Sequence, residues 1–591
     1  MKQFISRRSF LKAAGAATAL TAVSLGAPAA SAEETNCFLG EKSAVTILYT
    51  NDVHTYIDKK SPELTYAGIA ALKQSYVDAG QNVLLVDAGD HIQGTAYGSM
   101  DDGETIIKLM SEAGYDLATP GNHEFDYGMA RAKAAMKEAA FPYVSCNWVD
   151  LRTGLKVLPS IKIFTIGGAR IAFVGVTTPE TFTKSTPAYF MNASQTKYIY
   201  DILGGDDGQK LYKAVQKAID KAKLLGATYI IGLGHLGVDP SSAPWTSEEV
   251  IAHTTGFDAF IDGHSHTVME NKQVTDASGK AVTLTQTGSY FKNVGKMTIG
   301  ADGSITTELL PSYDGADAAV AAATSEWVSA VDDMLGEEIA VGDSKFYITD
   351  PATGKRRIRS GETNLGDFVA DGIYTYFNEI EELHCDVAIM NGGGIRTDVE
   401  AGPWSFKTCK TVSPFGNVAC LMSVTGQQIL DALEFGARFA GAEGKENGGF
   451  LQVAGAKYEI HAMVPNTVQT DDKNVWVGSA TTPRVSNVEI YDKTTGTYKP
   501  LDPNATYALA GMNYTLRNLG DGFAMFDGAE LIKDYVSEDY LVMSSYAAMF
   551  GGVDANGLPH LSSANSPLAD YPGYLLNYED PYGAGRIQMI W

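Results

Sequence analysis

Cysteine is scarce in this chain: there are 5 cysteines in 591 residues, and no two are spaced as Cys-x-x-Cys. So few scattered thiols exclude a small fold that is held together by a disulfide framework. Cys385, Cys409 and Cys420 could include one bridge. Buried cysteines that form no disulfide are the alternative, and the sequence does not decide between the two.

Positive charge is also in short supply, because 45 basic residues face 70 acidic ones and give a formal net charge of −25. Such a surface repels phosphates, so binding to a nucleic-acid polymer or to anionic lipid without sequence preference is not expected. After residue 32 no stretch reaches the roughly 18 apolar residues of a membrane span. The length itself, with 45% hydrophobic residues, predicts several domains rather than one core.

The first 32 residues have the parts of an export signal. Residues 6–12 read Ser-Arg-Arg-Ser-Phe-Leu-Lys, an alanine-rich apolar run follows to about residue 26, and Ala-Ser-Ala stands at residues 30–32. A basic start, a short apolar run and a small-residue cleavage site are typical of such signals, and the paired arginines resemble the twin-arginine type. We therefore expect a bacterial protein that the twin-arginine translocase exports to the periplasm, the cell envelope or the outside.

The first half of the chain repeats one pattern, in which a short apolar run ends in a loop that carries Asp, Asn or His. The runs have strand length and β-branched or aromatic content, and helical patterns lie between them. This alternation predicts a layered α/β domain, which we place over residues 43–313. Loops beyond the carboxyl ends of the strands gather into one site in such folds. The runs are residues 45–49, 83–86, 117–118, 229–233 and 257–261.

The composition changes near residue 314. Residues 317–335 are alanine-rich with apolar residues at helical spacing, which predicts a connecting helix inside a linker over residues 314–342. Residues 343–591 then form the predicted second α/β domain, with strand candidates of their own and glycine-rich loops at Gly392–Gly394 and Gly520–Gly522.

The loops of the first half offer oxygen and nitrogen ligands for a metal ion. Asp52 and His54 leave the same face of an extended segment, so both can reach one ion. A single histidine such as His235 is more often a hydrogen-bonded structural residue, so only the recurrence of such residues at strand ends favours a metal site. Carboxylates, an amide and imidazoles suit Zn, Mn, Fe or Co better than Ca²⁺. The candidate ligands are Asp52, His54, Asp90, Asn122, His235, His264 and His266.

The order Asp-x-His, Gly-Asp, Gly-Asn-His-Glu, His and Gly-His-x-His resembles the calcineurin-like metallophosphoesterases. The strings at residues 50–54, 121–126 and 263–266 look like the 5′-nucleotidase branch of that family. The resemblance covers essentially the whole mature chain. It implies an αββα-type sandwich domain that carries the metal site, the connecting helix, and a second α/β domain that binds the substrate.

The resemblance also implies a cofactor of two divalent metal ions, which are Zn, Mn, Co or Fe. Asp90 would bridge the ions; some relatives have Gln in place of His266. The two ligand sets would be Asp52, His54 and His266 for one ion, and Asn122, His235 and His264 for the other.

Chemistry follows from such a pair of ions, because they lower the pKa of a bridging water, which then attacks phosphorus in line. His123 fits as the donor to the developing negative charge or to the leaving oxygen, and Asp126 fits as its orienting partner. Glu124 is either a helix-start carboxylate or part of the site. His91 is interpreted as a structural residue or as one that stands behind the ligands.

The second domain has residues that suit recognition of the leaving group. Arg396 follows a glycine-rich loop and offers a planar fork for phosphate. Phe415 and Tyr514 could sandwich a base, although single aromatics are more often part of a core. The resemblance implies that these two rings stack the base, that Asp521 binds ribose, and that the other substrate contacts are Arg359, Asn391, Arg396 and Asn417.

Two positions depart from the pattern of the relatives. Lys355 stands where some relatives have another arginine. The interval between Tyr514 and Asp521 is one residue longer than usual, which leaves Thr515 as an alternative for the stacking position.

The resemblance thus implies an exported two-metal 5′-nucleotidase that converts nucleoside 5′-monophosphates to nucleoside and phosphate. Nucleoside di- or triphosphates and UDP-sugars are further candidate substrates. Two alternatives stay open: a 2′,3′-cyclic nucleotide 2′-phosphodiesterase/3′-nucleotidase, and a nucleotide-binding protein without catalysis.

Overall fold

The computed structural model describes residues 42–59, 63–185, 187–192, 197–442, 444–533 and 536–591. The predicted signal, residues 1–32, and Cys37 lie outside the described residues. Lys42–Trp591 forms one compact unit, so the boundaries between the predicted domains stay predictions. Among the described residues, no helix combines the length and the apolar character that crossing a membrane requires.

Two sheets form the centre of the first half. The five-stranded sheet has the spatial order Ile305–Leu310, Val294–Ile299, Val45–Thr50, Asn82–Asp87 and Leu117–Ala118. The six-stranded sheet has the order Val268–Thr275, Ala281–Thr287, Ala259–Ile261, Tyr229–His235, Ala169–Thr177 and Ile161–Ile166. A small third sheet contains Leu155–Lys156, Trp148–Asp150 and Tyr200–Ile202.

Apolar side chains of the two large sheets meet in one core, to which Ile47, Phe173 and Ile231 belong. Helices cover the outer faces, as Gln209–Leu224 does for the six-stranded sheet. Strands that are buried on both sides need continuous apolar sequence, and all six residues of Val45–Thr50 are buried. The layered α/β sandwich predicted from the sequence is confirmed. The helices of this half are Tyr66–Asp78, Ala96–Ser99, Glu104–Glu112, Met129–Glu138, Thr181–Lys184, Gln209–Leu224 and Ser247–Ala252, with 3-10 turns at His123–Phe125, Pro187–Phe190 and Pro240–Ser242.

Parallel pairing brings the polar loops to one edge. Val45–Thr50, Asn82–Asp87 and Leu117–Ala118 run parallel to one another in the first sheet. In the second sheet Tyr229–His235 runs parallel to both of its neighbours. The carboxyl ends of these strands therefore point the same way within each sheet, and the loops with the candidate ligands follow directly.

The predicted connecting helix is present as Ala318–Leu335. Asp317 caps it, because its side chain accepts hydrogen bonds from the backbone N–H groups of Ala319 and Val320. Trp327 ties the helix to the first half by donating from its indole nitrogen to the Tyr97 carbonyl at 2.8 Å.

The second half is built around a five-stranded sheet with apolar cores on both faces. Ala388 and Met390 point to one core and Val387 and Ile389 to the other, which is the two-residue alternation of a strand. The strand order is Leu451–Ala454, Val387–Asn391, Thr506–Met512, Ala419–Thr425 and Glu530–Lys533. Smaller sheets contain Thr497–Pro500, Val485–Asp492, Ala456–His461 and Ile587–Ile590; Gly402–Ser405, Glu338–Gly342 and His560–Leu561; and Gln469–Thr470 with Trp476–Gly478.

Helices pack on both faces of this sheet; Asn364–Thr375 lies on one face and Gly426–Gly436 on the other. The other helices are Phe406–Val412, Asn513–Leu516 and Asp539–Ala547, with a π-turn at Tyr376–Ile380 and 3-10 turns at Gly392–Gly394, Gly520–Gly522, Ala524–Phe526, Ser563–Asn565 and Pro567–Asp570.

The cysteines resolve one open question. Cys385 and Cys409 pack in one core of the second half, whereas Cys420 packs in the core on the opposite face of the sheet. No disulfide joins any of the four cysteines in the part of the chain that the structure describes. The alternative of a bridge among these three residues is therefore wrong. The sheet separates Cys420 from the other two, and Cys385 and Cys409 form no disulfide although they share a core, so all three serve as small apolar side chains.

Candidate active site

The loops beyond the strands bring the candidate ligands into two groups of three. The donor atoms of Asp52, His54 and His266 all lie within 4.8 Å of one another, and the same holds for Asp90, His235 and His264. The two groups adjoin, since His54 Nε2 lies 3.8 Å from Asp90 Oδ2. The first group consists of the residues that the resemblance implies for one ion. In the second group Asp90 stands with His235 and His264, and Asn122 lies on the wall of the same cavity.

The backbone at these residues is held in an uncommon conformation. Positive φ angles occur at Asp52 (50°), His54 (49°), Asp90 (60°), His264 (78°) and His266 (55°). Each such non-glycine residue costs about 1–3 kcal/mol, so the surrounding fold must hold it there. Strain that is concentrated at the candidate ligands is typical of a functional site rather than of ordinary loops.

Carbonyl oxygens orient two of the imidazoles. His54 Nδ1 donates to the Gln93 carbonyl at 2.8 Å, and His235 Nδ1 donates to the Ala88 carbonyl at 2.7 Å. A carbonyl only accepts, so in each neutral ring the lone pair is on Nε2, the nitrogen that lies toward the group. His54 Nε2 lies 3.0 Å from His266 Nε2, and His235 Nε2 lies 3.0 Å from Asp90 Oδ2.

These donors fit divalent cations. The Oδ1 atom of Asn122 and the Nε2 atom of His235 are buried and have no hydrogen-bond partner among the described residues. Burial of polar atoms without a partner is unfavourable, and one cation held by Asn122 and His235 would satisfy both. The donor set combines carboxylate, amide and imidazole and contains no sulfur, which suits Zn, Mn, Co or Fe.

Glu124 joins two of the loops. Its carboxylate accepts backbone hydrogen bonds from Asp90 at 2.8 Å, from Gly121 at 2.6 Å and from His91 at 2.8 Å. It therefore sets the distance between the Asp90 loop and the Asn122 loop. The question that the sequence left open is thus answered: Glu124 holds the loops together, and it is more than a helix-start carboxylate.

We expect Glu124→Gln to lower the free energy of unfolding of the metal-free protein by about 1–2 kcal/mol, because an amide nitrogen would face a buried N–H donor. Urea unfolding measures this difference. Glu308→Gln is the matched control, since Glu308 is exposed and pairs with Lys296 on the surface. Equal stability of the two variants would contradict the role of Glu124.

His91 lies behind the site and does not belong to either group. Its Nδ1 lies 2.8 Å from Asp87 Oδ1, and its Nε2 lies 2.8 Å from the Tyr143 hydroxyl. Burial alone would lower its pKa, but the charges of Glu124 and Asp87 raise the pKa of His91 to about 9. The geometry agrees with the structural interpretation.

His123 and Asp126 form a pair at the edge of the two groups. His123 Nδ1 lies 2.5 Å from Asp126 Oδ2, and the His123 backbone N–H donates to Asp90 Oδ1 at 2.8 Å. Burial alone would lower the pKa of His123, but Asp126 and Asp90 outweigh it and raise that pKa above its usual value. The His123 ring also lies 5.9 Å from the Phe415 ring of the second half.

A single cavity of about 720 Å³ brings the predicted residues of both halves together. From the first half it is lined by Asp90, Asn122, His123, Asp126, His264 and His266. Asp52, His54 and His235 are fully buried and are not among its lining residues. From the second half all seven predicted substrate residues line it: Arg359, Asn391, Arg396, Phe415, Asn417, Tyr514 and Asp521.

Tyr514, rather than Thr515, faces the cavity. Thr515 is buried and does not line it. The Tyr514 hydroxyl accepts a hydrogen bond from the Asp521 backbone N–H at 3.1 Å, and Asn391 Nδ2 donates to Asp521 Oδ2 at 2.9 Å. Tyr514 therefore lines the cavity in contact with the turn that carries Asp521.

Sequence reasoning missed Arg356, which lines the cavity, while Lys355 is exposed and does not. In the run Lys355-Arg356-Arg357 the residue that lines the cavity is one position later than the one the sequence analysis compared with the relatives. Side chains of adjacent residues point in different directions, so a shift of one position changes which of them lines the cavity. The spacing between Arg356 and Arg359 was the sequence signal that could have indicated Arg356 as a second arginine of the cavity wall. Sequence reasoning also missed Lys184, Glu180 and Lys292, three further lining residues that stand outside the motifs.

Comparison with known proteins assigns the two halves separately. Residues 45–268 match the model described as calcineurin-like phosphoesterase, and residues 340–528 match the 5′-nucleotidase C-terminal domain. Residues 5–24 match the twin-arginine translocation pathway signal sequence, which confirms the predicted export route.

Relatives align over most of the chain. The 5′-nucleotidase of Rattus norvegicus is 27% identical over 584 residues, which cover 90% of this chain and 93% of that protein. The 5′-nucleotidase of Homo sapiens is 29% identical and covers 85% and 88%. The crystal structure of a 5′-nucleotidase precursor from Thermus thermophilus superimposes with a TM-score of 0.72 at 25% identity, over 93% of this chain and 99% of that one.

Both halves thus match the corresponding parts of one architecture, in the same order and in one fold. The chain combines a calcineurin-like phosphoesterase domain with a 5′-nucleotidase C-terminal domain, aligns with 5′-nucleotidases over most of its length, and is an exported phosphoric monoester hydrolase.

Proposed function

We propose that the protein is a 5′-nucleotidase that hydrolyses nucleoside 5′-monophosphates to nucleoside and inorganic phosphate with two divalent cations. The observation that carries the proposal is the shared cavity, in which both candidate metal groups adjoin residues suited to a phosphate, a ribose and a base. Longer phosphate chains and UDP-sugars are further substrates of the same proposal.

The cations would be held by Asp52, His54 and His266 on one side and by Asn122, His235 and His264 on the other, with Asp90 between them. When bound, such a pair supplies a water of lowered pKa as the nucleophile and polarises the phosphoryl oxygens. The chain must then hold the rest of the substrate in line with this attack.

Arginines of the second half suit the phosphate. Burial, together with the charges of Arg356 and Arg396, lowers the pKa of Arg359 to about 9. Arg356, Arg359 and Arg396 all line the cavity, and Glu446 Oε2 lies 3.4 Å from Arg356 Nη1 and 3.9 Å from Arg359 Nη1. A phosphate dianion would relieve the mutual repulsion of the arginines, and planar guanidinium groups match its oxygens in geometry.

Other residues that line the cavity suit a nucleoside. Phe415 and Tyr514 both line the cavity and offer ring faces for stacking. Every nucleobase has a π-face that can stack on such a ring. Asp521 is buried and already accepts one hydrogen bond from Asn391, which fixes its carboxylate. Its remaining acceptor capacity suits the hydroxyls of a ribose.

His123 suits the proton-donor role by its geometry. The Nδ1 atom of His123 is hydrogen-bonded to Asp126. The Nε2 atom is therefore the nitrogen that can donate to a phosphoryl oxygen or to the leaving oxygen. The short contact with Asp126 also fixes the orientation of the ring in the cavity.

The test follows both phosphate release and the nucleotide products across a substrate panel, because opening a cyclic phosphate gives a monoester and no free phosphate. Metal-depleted protein is supplied in turn with Mn²⁺, Zn²⁺ or Co²⁺ and given AMP, ATP, a UDP-sugar and 2′,3′-cyclic AMP. We expect phosphate from AMP only when metal is present, and its loss on addition of a chelator. Hydrolysis of the cyclic nucleotide but not of AMP would replace the proposal by a cyclic phosphodiesterase, and AMP binding without phosphate release would replace it by a nucleotide-binding protein.

A further inference from the structure

Glu180 is a buried carboxylate on the cavity wall, outside every motif of the metal loops. It follows the strand Ala169–Thr177, is 5% exposed, and precedes the short helix Thr181–Lys184. Its Oε2 atom lies 2.9 Å from His264 Nε2, and Ser242 Oγ donates to the same oxygen at 2.6 Å. The carboxylate therefore contacts the candidate ligand His264 although Glu180 lies outside the motifs of the metal loops.

This contact decides which nitrogen of His264 can bind a cation. A carboxylate accepts hydrogen bonds, so the His264 nitrogen that faces it carries the hydrogen. The neutral ring then keeps its lone pair on Nδ1. His264 is one of the three residues of the second donor group, and Nδ1 is the ring atom left to serve that group.

The other two oriented histidines, His54 and His235, carry their hydrogen on the other ring nitrogen. The Gln93 and Ala88 carbonyls hold the Nδ1 hydrogens of His54 and His235, so those rings offer Nε2. His264 instead offers Nδ1, and its partner carries a full negative charge. A carboxylate behind a ligating imidazole raises the basicity of that imidazole more than a neutral carbonyl does.

The position of Glu180 is itself well held. The Ser242 hydroxyl occupies the oxygen that faces His264, and the Glu180 backbone N–H donates to Thr178 Oγ1 at 3.2 Å. The backbone N–H of His264 donates to Asp52 Oδ2 at 2.9 Å, so the backbone of His264 is held as well as its ring. Little freedom remains for the imidazole to rotate away from the group.

We propose that Glu180 is a positioning residue, which fixes His264 as an Nδ1 ligand and thereby sets the affinity for the cation of the Asp90, His235 and His264 group. The inference rests on the proposed two-metal function and adds to it a residue that acts through its contact with His264. Loss of such partners behind a ligand typically costs about 10–100-fold in metal affinity.

The experiment titrates metal-free protein with Co²⁺ and follows visible absorption, with the number of bound ions counted by elemental analysis. We expect wild-type protein to bind two ions. Glu180→Gln keeps an acceptor but removes the charge, and we expect it to weaken one of the two binding steps about tenfold, with Glu180→Ala weakening it up to about 100-fold. The step of the Asp52, His54 and His266 group should stay unchanged.

Two further variants sharpen the result. Ser242→Ala should shift the same step in the same direction by less, because it removes only the support of the carboxylate. Glu249→Gln is the matched control: Glu249 lies 3.4 Å from His253 on the exposed surface, so it makes the same chemical change in a glutamate–histidine pair outside the cavity. Glu249→Gln should leave both steps unchanged.

An unchanged metal titration of Glu180→Ala would overturn the inference, as would equal weakening of both binding steps together with a lowered unfolding temperature. The third contrary outcome is a Glu180→Gln variant whose rate of phosphate release from AMP does not recover at saturating metal. Recovery of that rate, by contrast, would support it. The metal titration contains no substrate, so it tests the role of Glu180 independently of the proposed function. If wild-type protein binds two ions but releases no phosphate from AMP, the proposed function is contradicted and the role of Glu180 is not.

Discussion

His123→Ala is expected to lower kcat for AMP by about 10²–10⁴-fold, the usual contribution of a positioned proton donor. The imidazole is held by Asp126 and lines the cavity beside Asp90, but it does not belong to either donor group. Its loss should therefore remove stabilisation of the leaving oxygen without removing a ligand. Steady-state kinetics combined with metal analysis of the purified variant measure both effects.

His253→Ala provides the control for this substitution. His253 lies on the surface, stacked on Tyr212 with ring centroids 4.4 Å apart, and should leave kcat unchanged. Asp126→Asn should reduce kcat in the same direction as His123→Ala, because it weakens the orientation of the ring. If His123→Ala protein were purified without its metal, the donor role would give way to a ligand or folding role.

Phe415→Ala is expected to raise KM for AMP about ten- to a hundred-fold, since stacking of a base on an aromatic ring contributes about 1–3 kcal/mol. Ribose 5-phosphate is the informative second substrate, because it retains the ribose and phosphate but lacks the base. Its KM should change little. The ratio of the two effects isolates stacking from any displacement of neighbouring residues.

The proximity of Phe415 to other groups makes this comparison necessary. Its ring lies 5.9 Å from the His123 ring and 5.6 Å from the Arg396 guanidinium, so truncation could disturb both. Such a disturbance would affect ribose 5-phosphate as strongly as AMP and would remove the stacking assignment. Tyr76→Ala, on a helix outside the cavity, should change neither constant.

The loops with the candidate ligands could be located from the sequence, because their residues lie at the ends of apolar runs of strand length. Asp52, His54 and His266 come from segments more than 200 positions apart, yet the alternation of strand and helix already places them at one edge of a layered fold. The connecting helix was equally accessible: its apolar spacing and the capping Asp317 are local signals.

Residues that act through contacts distant in sequence were harder to assign. Glu124 could be a helix-start carboxylate or a clamp, and only its hydrogen bonds to Asp90 and Gly121 distinguish the two. Arg356 is separated from Lys355 by a single position, and the direction of the backbone decides which of them enters the cavity.

Composition, motif order and periodicity were thus sufficient for the layered α/β architecture, the family resemblance and the identity of the candidate donors, because each of these is written in local spacing. They could not assign the tautomers of His54, His235 and His264, the absence of a bridge among the described cysteines, or the place of Glu180. The tautomers depend on which backbone carbonyl or carboxylate lies behind each imidazole, and the state of the cysteines depends on where the sheet places each thiol. Both are determined only when strands from both sheets and both halves of the chain pack together.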